Sequence, residues 1–217
     1  MLFDIEKAKK AQNILSRLAV IEPFDTTSVD VVVGLDVSYH DSNAIAAAVA
    51  YSVNRREVIA TELVIRAVKI PYIPGLLAFR EAPVMLLALK MLLAKLRKID
   101  VIMVNGHGLA HPRRCGIATH IGVVTGMPTI GIAKKLLYGE VVLIDNHLAI
   151  VVDNSIVGYV VNRKKHRIYV SIGHRITAED ALRMTLIVWN ENSPLPEPIK
   201  LADKISRDYK RAIFNSK

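Results

Sequence analysis

The chain has a single cysteine, Cys115, among 217 residues. That excludes an intrachain disulfide and a thiolate zinc cluster, and it suits a reducing, cytoplasmic compartment. A nucleophilic role for Cys115 needs an aligned His or Asn partner that the sequence does not indicate, so a small packing residue is the better reading. No apolar run approaches the roughly 18 residues of a membrane-spanning helix. The N-terminal MLFDIEKAKKAQNILSRL is charged and helically periodic, without the uninterrupted apolar stretch of a signal peptide. A soluble protein with no membrane partner is therefore expected. No Pro/Gly/Ser-rich linker, composition break or internal repeat divides the chain, so residues 1–217 read as one domain. Aromatic residues make up only 6% of a chain that is 52% hydrophobic, which leaves the core to Ala, Ile and Val. Carboxylates are also short: Asp and Glu number 20 against 29 Lys and Arg, a formal charge of +9, which favours a polyanionic partner such as nucleic acid.

What is present is well ordered along the chain. Residues 4–18 read as an amphipathic helix with Ile5, Ala8, Ala11, Ile14 and Leu15 on its apolar face. Three β-rich runs follow, 29–40, 43–53 and 57–68, separated by short polar turns as in an antiparallel meander. The Pro-framed stretch PYIPGLLAFREAP interrupts the pattern, and VMLLALKMLLAKLRK (84–98) restores helix, apolar nearly all round and hence buried. A strand over 99–105, a short helix over 114–125 and a strand over 127–133 continue an α-β-α-β progression, which gives parallel strands. Residues 140–173 read as short antiparallel strands. Two helices close the chain, one capped by Thr177 and one starting near Pro198. A three-strand meander followed by α, β, α and β is the order of the ribonuclease H-like fold, a mixed sheet flanked by helices.

The densest chemistry lies in VNGHGLAHPRRCGIATHIGV (104–123), with three histidines, two adjacent arginines and four glycines behind an apolar strand. Buried strands rarely empty into that mixture unless they build a site. Elsewhere, Asp36 sits within VVVGLDVSYH, where a carboxylate costs several kcal/mol unless it meets a cation or is well hydrogen-bonded. It either serves a site or lies on a solvated strand face. Glu81 falls just ahead of the expected helix, where the dipole alone favours a carboxylate. Asn105 closes the strand that a parallel neighbour would set beside Asp36. Asp203, on the last helix, is either a ligand or an i, i+4 partner of Arg207. Together the four match an arrangement in which oxygen ligands hold Mg²⁺ for phosphodiester hydrolysis.

PYIPGLLAFRE, the Gly106–Gly122 segment with its HPRR core, IGIAKKLLYGE, SIGHRI and LPEP-x-x-x-A-D resemble the endonuclease V family over roughly residues 30–205. The resemblance implies a ribonuclease H-like fold. It also implies cleavage of the second phosphodiester 3′ to a deaminated purine in DNA, with RNA a further substrate, leaving a 3′-hydroxyl and a 5′-phosphate. It implies Mg²⁺, replaceable by Mn²⁺, on Asp36, Glu81, the residue at 105 and Asp203, in a protein acting as a monomer. By the same resemblance Tyr72, held by Pro71, Ile73 and Pro74, is a wedge filling the gap left by an extruded base. Gly106, Gly108, Leu109, His111 and Gly116 correspond to the pocket for the flipped hypoxanthine, where absent side chains let backbone reach a base edge. His111 and His120 read either as contacts to phosphate or base or as structural histidines. Lys134 resembles the family lysine near the scissile phosphate, a point charge suited to an anionic transition state. Lys135 reads as its solvated neighbour, and Arg113 and Arg114 either bind phosphate or fix the loop.

One position departs. The family carries aspartate where this chain has Asn105, before Gly106. An amide oxygen can touch Mg²⁺ but lacks the charge that concentrates divalent ions, so metal affinity and turnover should fall while lesion binding persists. An engineered near-isosteric exchange explains why the other motifs are intact; natural divergence is the alternative, as is a protein that binds inosine without cutting. Asn-Gly also deamidates readily, which would regenerate aspartate. A structure-specific resolvase sharing the fold is a third reading, one in which Tyr72 would matter little.

Overall fold

The computed structural model describes residues 3–214. After helix α1 (Ile5–Leu18) come strands β1 (Val31–His40), β2 (Asn43–Ser52) and β3 (Glu57–Ala67), then α2 (Leu77–Leu93). Strand β4 (Val101–Asn105), α3 (Ile117–Thr125) and β5 (Thr129–Ala133) follow. Next are β6 (Glu140–Ile144), β7 (His147–Val152), β8 (Ser155–Arg163), β9 (His166–His174), α4 (Ala178–Ile187) and α5 (Glu197–Phe214). All nine strands form one mixed sheet in the order β3-β2-β1-β4-β5-β9-β8-β7-β6. The β1–β2–β3 meander is antiparallel, and its turns place Asp41 at φ 50° and Arg56 at φ 55°. Strands β1, β4 and β5 run parallel, as expected when helices intervene, and β9 pairs antiparallel with β5. This is the ribonuclease H-like single-domain architecture expected from the order of elements.

Alternation along β1 explains how the sheet is covered on both faces. Val33 and Leu35 pack with Met85, Leu89 and Leu92 of α2, while Val32, one step out of phase, joins the core on the other face that includes Ile199 of α5. Gly34 shares that second face. A Cβ there would lie 2.1 Å from the carbonyl oxygen of Pro198, so the missing side chain is what lets the start of α5 lie against β1. Two residues further along the same face stands Asp36, and along α5 Asp203 and Ser206 follow Pro198 by five and eight residues, roughly one and a half and two turns.

Three sequence expectations need correction. Helix α2 starts at Leu77 and ends at Leu93, not 84–98, and Pro83 lies inside it. A proline there forgoes one helical hydrogen bond and costs about 3 kcal/mol, which burial of Ala78, Ala82, Val84, Met85 and the residues beyond offsets. The short helix starts at Ile117 after Gly116, because Arg114 adopts φ 47°, outside helical geometry. On α1 Ala8 is buried and Ala11 and Leu15 partly buried, as expected, and Gln12 joins them, whereas Ile5 (41% exposed) and Ile14 (61%) face outwards. The helix meets the body along the strip from Ala8 through Gln12 to Leu15, which leaves the edge of the wider apolar stripe uncovered. Thr177 caps α4 as expected, its hydroxyl accepting from the Asp180 amide at 3.1 Å.

Candidate active site

The parallel register of β1 with β4 pairs Leu35 with Val104, and so carries Asp36 and Asn105 to adjacent strand ends. Asn105 Nδ2 donates to Asp36 Oδ1 at 2.6 Å. The second Asp36 oxygen accepts from Ser206 Oγ on α5 at 3.5 Å, and Ser206 is itself tied to β1 by Ser38, whose hydroxyl donates to the Ser206 carbonyl at 3.0 Å. Asp36 is only 5% exposed. Burial pushes its carboxyl up to about 6, the Asn105 bond opposing the rise and the charge of Asp203 adding to it.

Glu81, expected just ahead of its helix, instead lies in the second turn of α2 and faces the sheet. It is 8% exposed, and burial first, with the Asp36 charge adding, pushes it up to about 7. Its Oε1 accepts from the Tyr39 hydroxyl at 2.9 Å, and the Arg80 guanidinium lies 4.5 Å from the centre of the Tyr39 ring. Asp203 acts on Asp36 through its charge and also accepts from Arg207 Nε at 2.8 Å, so the i, i+4 pairing weighed from the sequence is present as well. The structure thus sets Asn105 in contact with Asp36 and brings Glu81 and Asp203 within reach of its charge.

Whether these groups suit a divalent cation follows from their chemistry. Among the described residues no set of three or more His, Cys, Asp or Glu side chains is grouped to hold an ion, the residue bonded to Asp36 being an amide. Yet neither Asp36 nor Glu81 forms a salt bridge among the described residues, and after burial the Asp203 charge raises the proton affinity of Asp36 while the Asp36 charge raises that of Glu81. Buried carboxylate oxygens that no cationic side chain bridges fit a hard cation. The set is one carboxylate short, and the amide spends its N–H on Asp36.

Directly beyond Asn105 the chain loops over the sheet. A Cβ on Gly108 would fall 1.9 Å from the Ile172 carbonyl oxygen, so the loop lies against β9 only because glycine occupies that position. The loop borders a cavity of about 360 Å³, within the range of small-ligand sites. Gly106, His111 and Gly116 line it on one side, and Tyr72 and Gly75 on the other. Leu77, Ala78, Ile117 and Leu136 supply apolar wall. Because Gly106 follows Asn105 and Ala78 lies one turn before Glu81, the cavity adjoins the carboxylates. A larger depression of about 630 Å³, bordered by Arg56 and Trp189, lies on another part of the molecule.

The remaining expected residues divide. Tyr72 is 68% exposed at the cavity rim, with Pro71, Ile73 and Pro74 shaping its turn, which the Leu76 amide closes on the Ile73 carbonyl at 2.9 Å. Gly108 and Leu109 are buried behind the lining. His111 donates from Nε2 to the Gly75 carbonyl at 3.0 Å and accepts at Nδ1 from the Arg113 amide, and burial pushes it down to about 4. His120 lies outside the cavity, its ring edge-on to Phe79 at 5.5 Å, with Nδ1 buried and lacking a partner. Lys134 is exposed just after β5 and is not part of the lining. Lys135, read as its solvated neighbour, does border the cavity, and its carbonyl bonds His107 Nε2 at 2.8 Å. Arg113 and Arg114 fix the loop: Arg113 NH2 donates to Gly75 O and Arg114 NH1 to Val152 O. Cys115 is fully buried and pushed up to about 12, as suits a packing residue. Sequence reasoning missed Gln12, Leu77 and His107; a glutamine next to the apolar face of α1 was the one available signal.

Comparison with known proteins bears on this arrangement. The family model for Endonuclease V matches residues 13–204. The chain is 39% identical over 214 residues to Endonuclease V of Ignicoccus hospitalis, covering 98% of this chain and 99% of that one. It is 43% identical over 213 residues to the Desulfurococcus amylolyticus protein, covering 95% and 96%. The crystal structure of Endonuclease V from Streptomyces avermitilis matches with a TM-score of 0.84 at 32% identity, over 97% and 95% of the two chains. That of Ciona intestinalis Endonuclease V, in complex with a 24mer DNA containing an inosine followed by a ribo-adenosine, matches with a TM-score of 0.86 at 28% identity, over 96% and 98%. With the family model matching most of the chain and these relatives matching nearly its whole length, the chain belongs to the endonuclease V family.

Proposed function

We propose that this chain recognises inosine in nucleic acid and hydrolyses the second phosphodiester 3′ to it, leaving a 3′-hydroxyl and a 5′-phosphate, on DNA and on RNA. The observation that carries the reading is the adjacency of a base-sized cavity, rimmed by an exposed tyrosine, to a pair of buried carboxylates. The Ciona relative's complex with inosine-containing DNA supports the choice of lesion.

In this reading the extruded base enters the cavity, and the Tyr72 ring, stiffened by Pro71 and Pro74, takes its place in the stack. The glycine-rich wall leaves room for backbone groups to reach the base edge. Asp36, Glu81, the Asn105 amide oxygen and Asp203 would hold Mg²⁺, with Mn²⁺ able to replace it, and the ion supplies positive charge to the phosphate and the leaving 3′ oxygen. The Tyr39 hydroxyl fixes the Glu81 carboxylate, and Ser206 steadies Asp36. Lys134, exposed just after β5, would meet phosphate charge as the scissile strand settles. With Asn105 donating to Asp36, one Asp36 oxygen is engaged before any cation arrives, so this form binds lesions better than it cuts them. The test is a nicking assay with Mg²⁺ on a duplex carrying one inosine: slow cleavage one nucleotide 3′ of the lesion is expected, and cleavage without regard to inosine would overturn the reading.

A further inference from the structure

The Gly75 carbonyl accepts three hydrogen bonds, from His111 Nε2 at 3.0 Å, Arg113 NH2 at 2.7 Å and Gln12 Nε2 at 3.0 Å. Gly75 ends the wedge turn with φ +76°. Two of the donors come from the pocket loop. The third comes from α1, an element outside the sheet that the base pocket and the carboxylates do not otherwise use. Gln12 is 1% exposed, yet its amide is engaged at both ends. Nε2 also donates to the Cys115 carbonyl at 3.0 Å, and Oε1 accepts from Arg113 Nε at 2.6 Å. One side chain therefore joins the wedge turn to two points of the pocket loop, and it also lines the cavity.

From this geometry we infer that Gln12 is a positioning residue for lesion recognition, through which α1 sets the separation between the Tyr72 turn and the Gly106–Gly116 wall. The inference rests on the inosine-binding reading above. Its physical basis is that a buried amide with both donors and its acceptor engaged resists displacement, because each bond broken leaves a desolvated partner. A carbonyl held by three donors cannot swing, so the turn bearing Tyr72 is fixed relative to the cavity before nucleic acid arrives. A pocket and wedge held in register bind without an ordering cost, which is where discrimination between inosine and a normal base is gained. Gln12 touches none of the reacting atoms, so its influence belongs in recognition rather than in the chemical step.

The test compares binding to a duplex carrying one inosine and to the same duplex with adenine at that position, read by fluorescence anisotropy on the full chain. Gln12→Leu should lower the inosine preference about tenfold, the scale of one or two lost buried hydrogen bonds, while affinity for the plain duplex stays unchanged. The loss in Gln12→Leu and that in Tyr72→Ala should fail to add in the double variant, because both act through one turn. In an Asn105→Asp background, Gln12→Leu should raise KM with kcat little changed. Gln12→Glu, which keeps the acceptor for Arg113 and loses both donors, serves the same test should Gln12→Leu not fold. A parent with inosine preference that folded Gln12 variants retain overturns this inference alone. Equal losses on both duplexes also overturn it, and a parent with no inosine preference overturns the recognition reading together with this inference.

Discussion

Replacing Asn105 by aspartate is the most informative perturbation, because it changes one atom in a bond whose geometry is known. Asn105 Nδ2 lies 2.6 Å from Asp36 Oδ1, and Asp36 is 5% exposed. In Asn105→Asp a carboxylate oxygen takes the donor's place, so an attraction worth about 1–2 kcal/mol becomes a repulsion. Two unit charges about 4 Å apart repel by about 4 kcal/mol at an effective dielectric constant near 20. Protonation of one partner, relaxation and solvent relieve part of this, leaving a net loss of about 2–4 kcal/mol in metal-free buffer at pH 8. For a domain of this size each kcal/mol shifts Tm by about 2–4 °C, so the variant should melt roughly 5–15 °C below the parent in chelator. A divalent cation removes the penalty: Mg²⁺ at a hundred times its Kd adds about 2.7 kcal/mol. Melting curves with and without Mg²⁺ should thus show a larger rise for Asn105→Asp than for the parent. Nicking of the inosine duplex should rise by about 100-fold, the scale of one transition-state charge contact, with the intact mass of the peptide spanning residue 105 confirming an undeamidated parent. A variant whose Tm ignores Mg²⁺ and whose nicking stays at the parent's rate would refute the assignment of position 105 to metal binding.

Further outcomes follow from other residues. Tyr72→Ala should leave the unfolding midpoint within about 0.5 kcal/mol of the parent, as expected at an exposed site, while reducing affinity for inosine DNA; a large stability loss would instead mark Tyr72 as a packing residue. Gly34→Ala should cost about 3 kcal/mol or more by overpacking, since its Cβ meets the Pro198 carbonyl oxygen at 2.1 Å, and residual folded protein should lose Mg²⁺-dependent nicking because Asp203 is displaced. For His111, held neutral down to about 4, the folded state binds its proton later than the unfolded chain does at about 6.5. Its stability contribution is full above pH 6.5 and is lost as pH falls toward 4, by up to about 3 kcal/mol. Asp36 and Glu81, raised in the fold, act in the opposite direction over pH 4–7, so the check is a difference. Urea midpoints from pH 7.5 to 4.5 should fall less steeply for His111→Gln than for the parent, and parallel slopes would exclude the effect.

Much of this was legible because it rests on local periodicity. The meander, the parallel β4 and β5 and the Thr177 cap follow from alternation, connection length and capping chemistry. Adjacency of Asp36 and Asn105 followed from placing β1 beside β4. The errors came where tertiary packing overrode a local signal. Pro83 reads as a helix boundary, but burial of Ala78, Glu81 and Ala82 carries the helix past it, which turns Glu81 from an end-of-helix carboxylate into a buried one. Ile5 and Ile14 read as core, yet α1 meets the body along the Ala8–Gln12 row. Nothing in the periodicity shows that Gln12 would meet partners more than sixty residues away. His120 carries a ligand's side chain in a site-like segment, and only the fold reveals that Phe79 covers it.

The approach of α5 to β1 has a consequence for the timing of synthesis. The side chains gathered at Asp36 come from the first strand, the second helix, the fourth strand and, through Asp203 and Ser206, the final helix. A chain emerging from the ribosome has β1 and β4 before α5, the last element, is made. A growing chain therefore lacks Asp203 and Ser206 beside Asp36 until its last helix docks over Gly34.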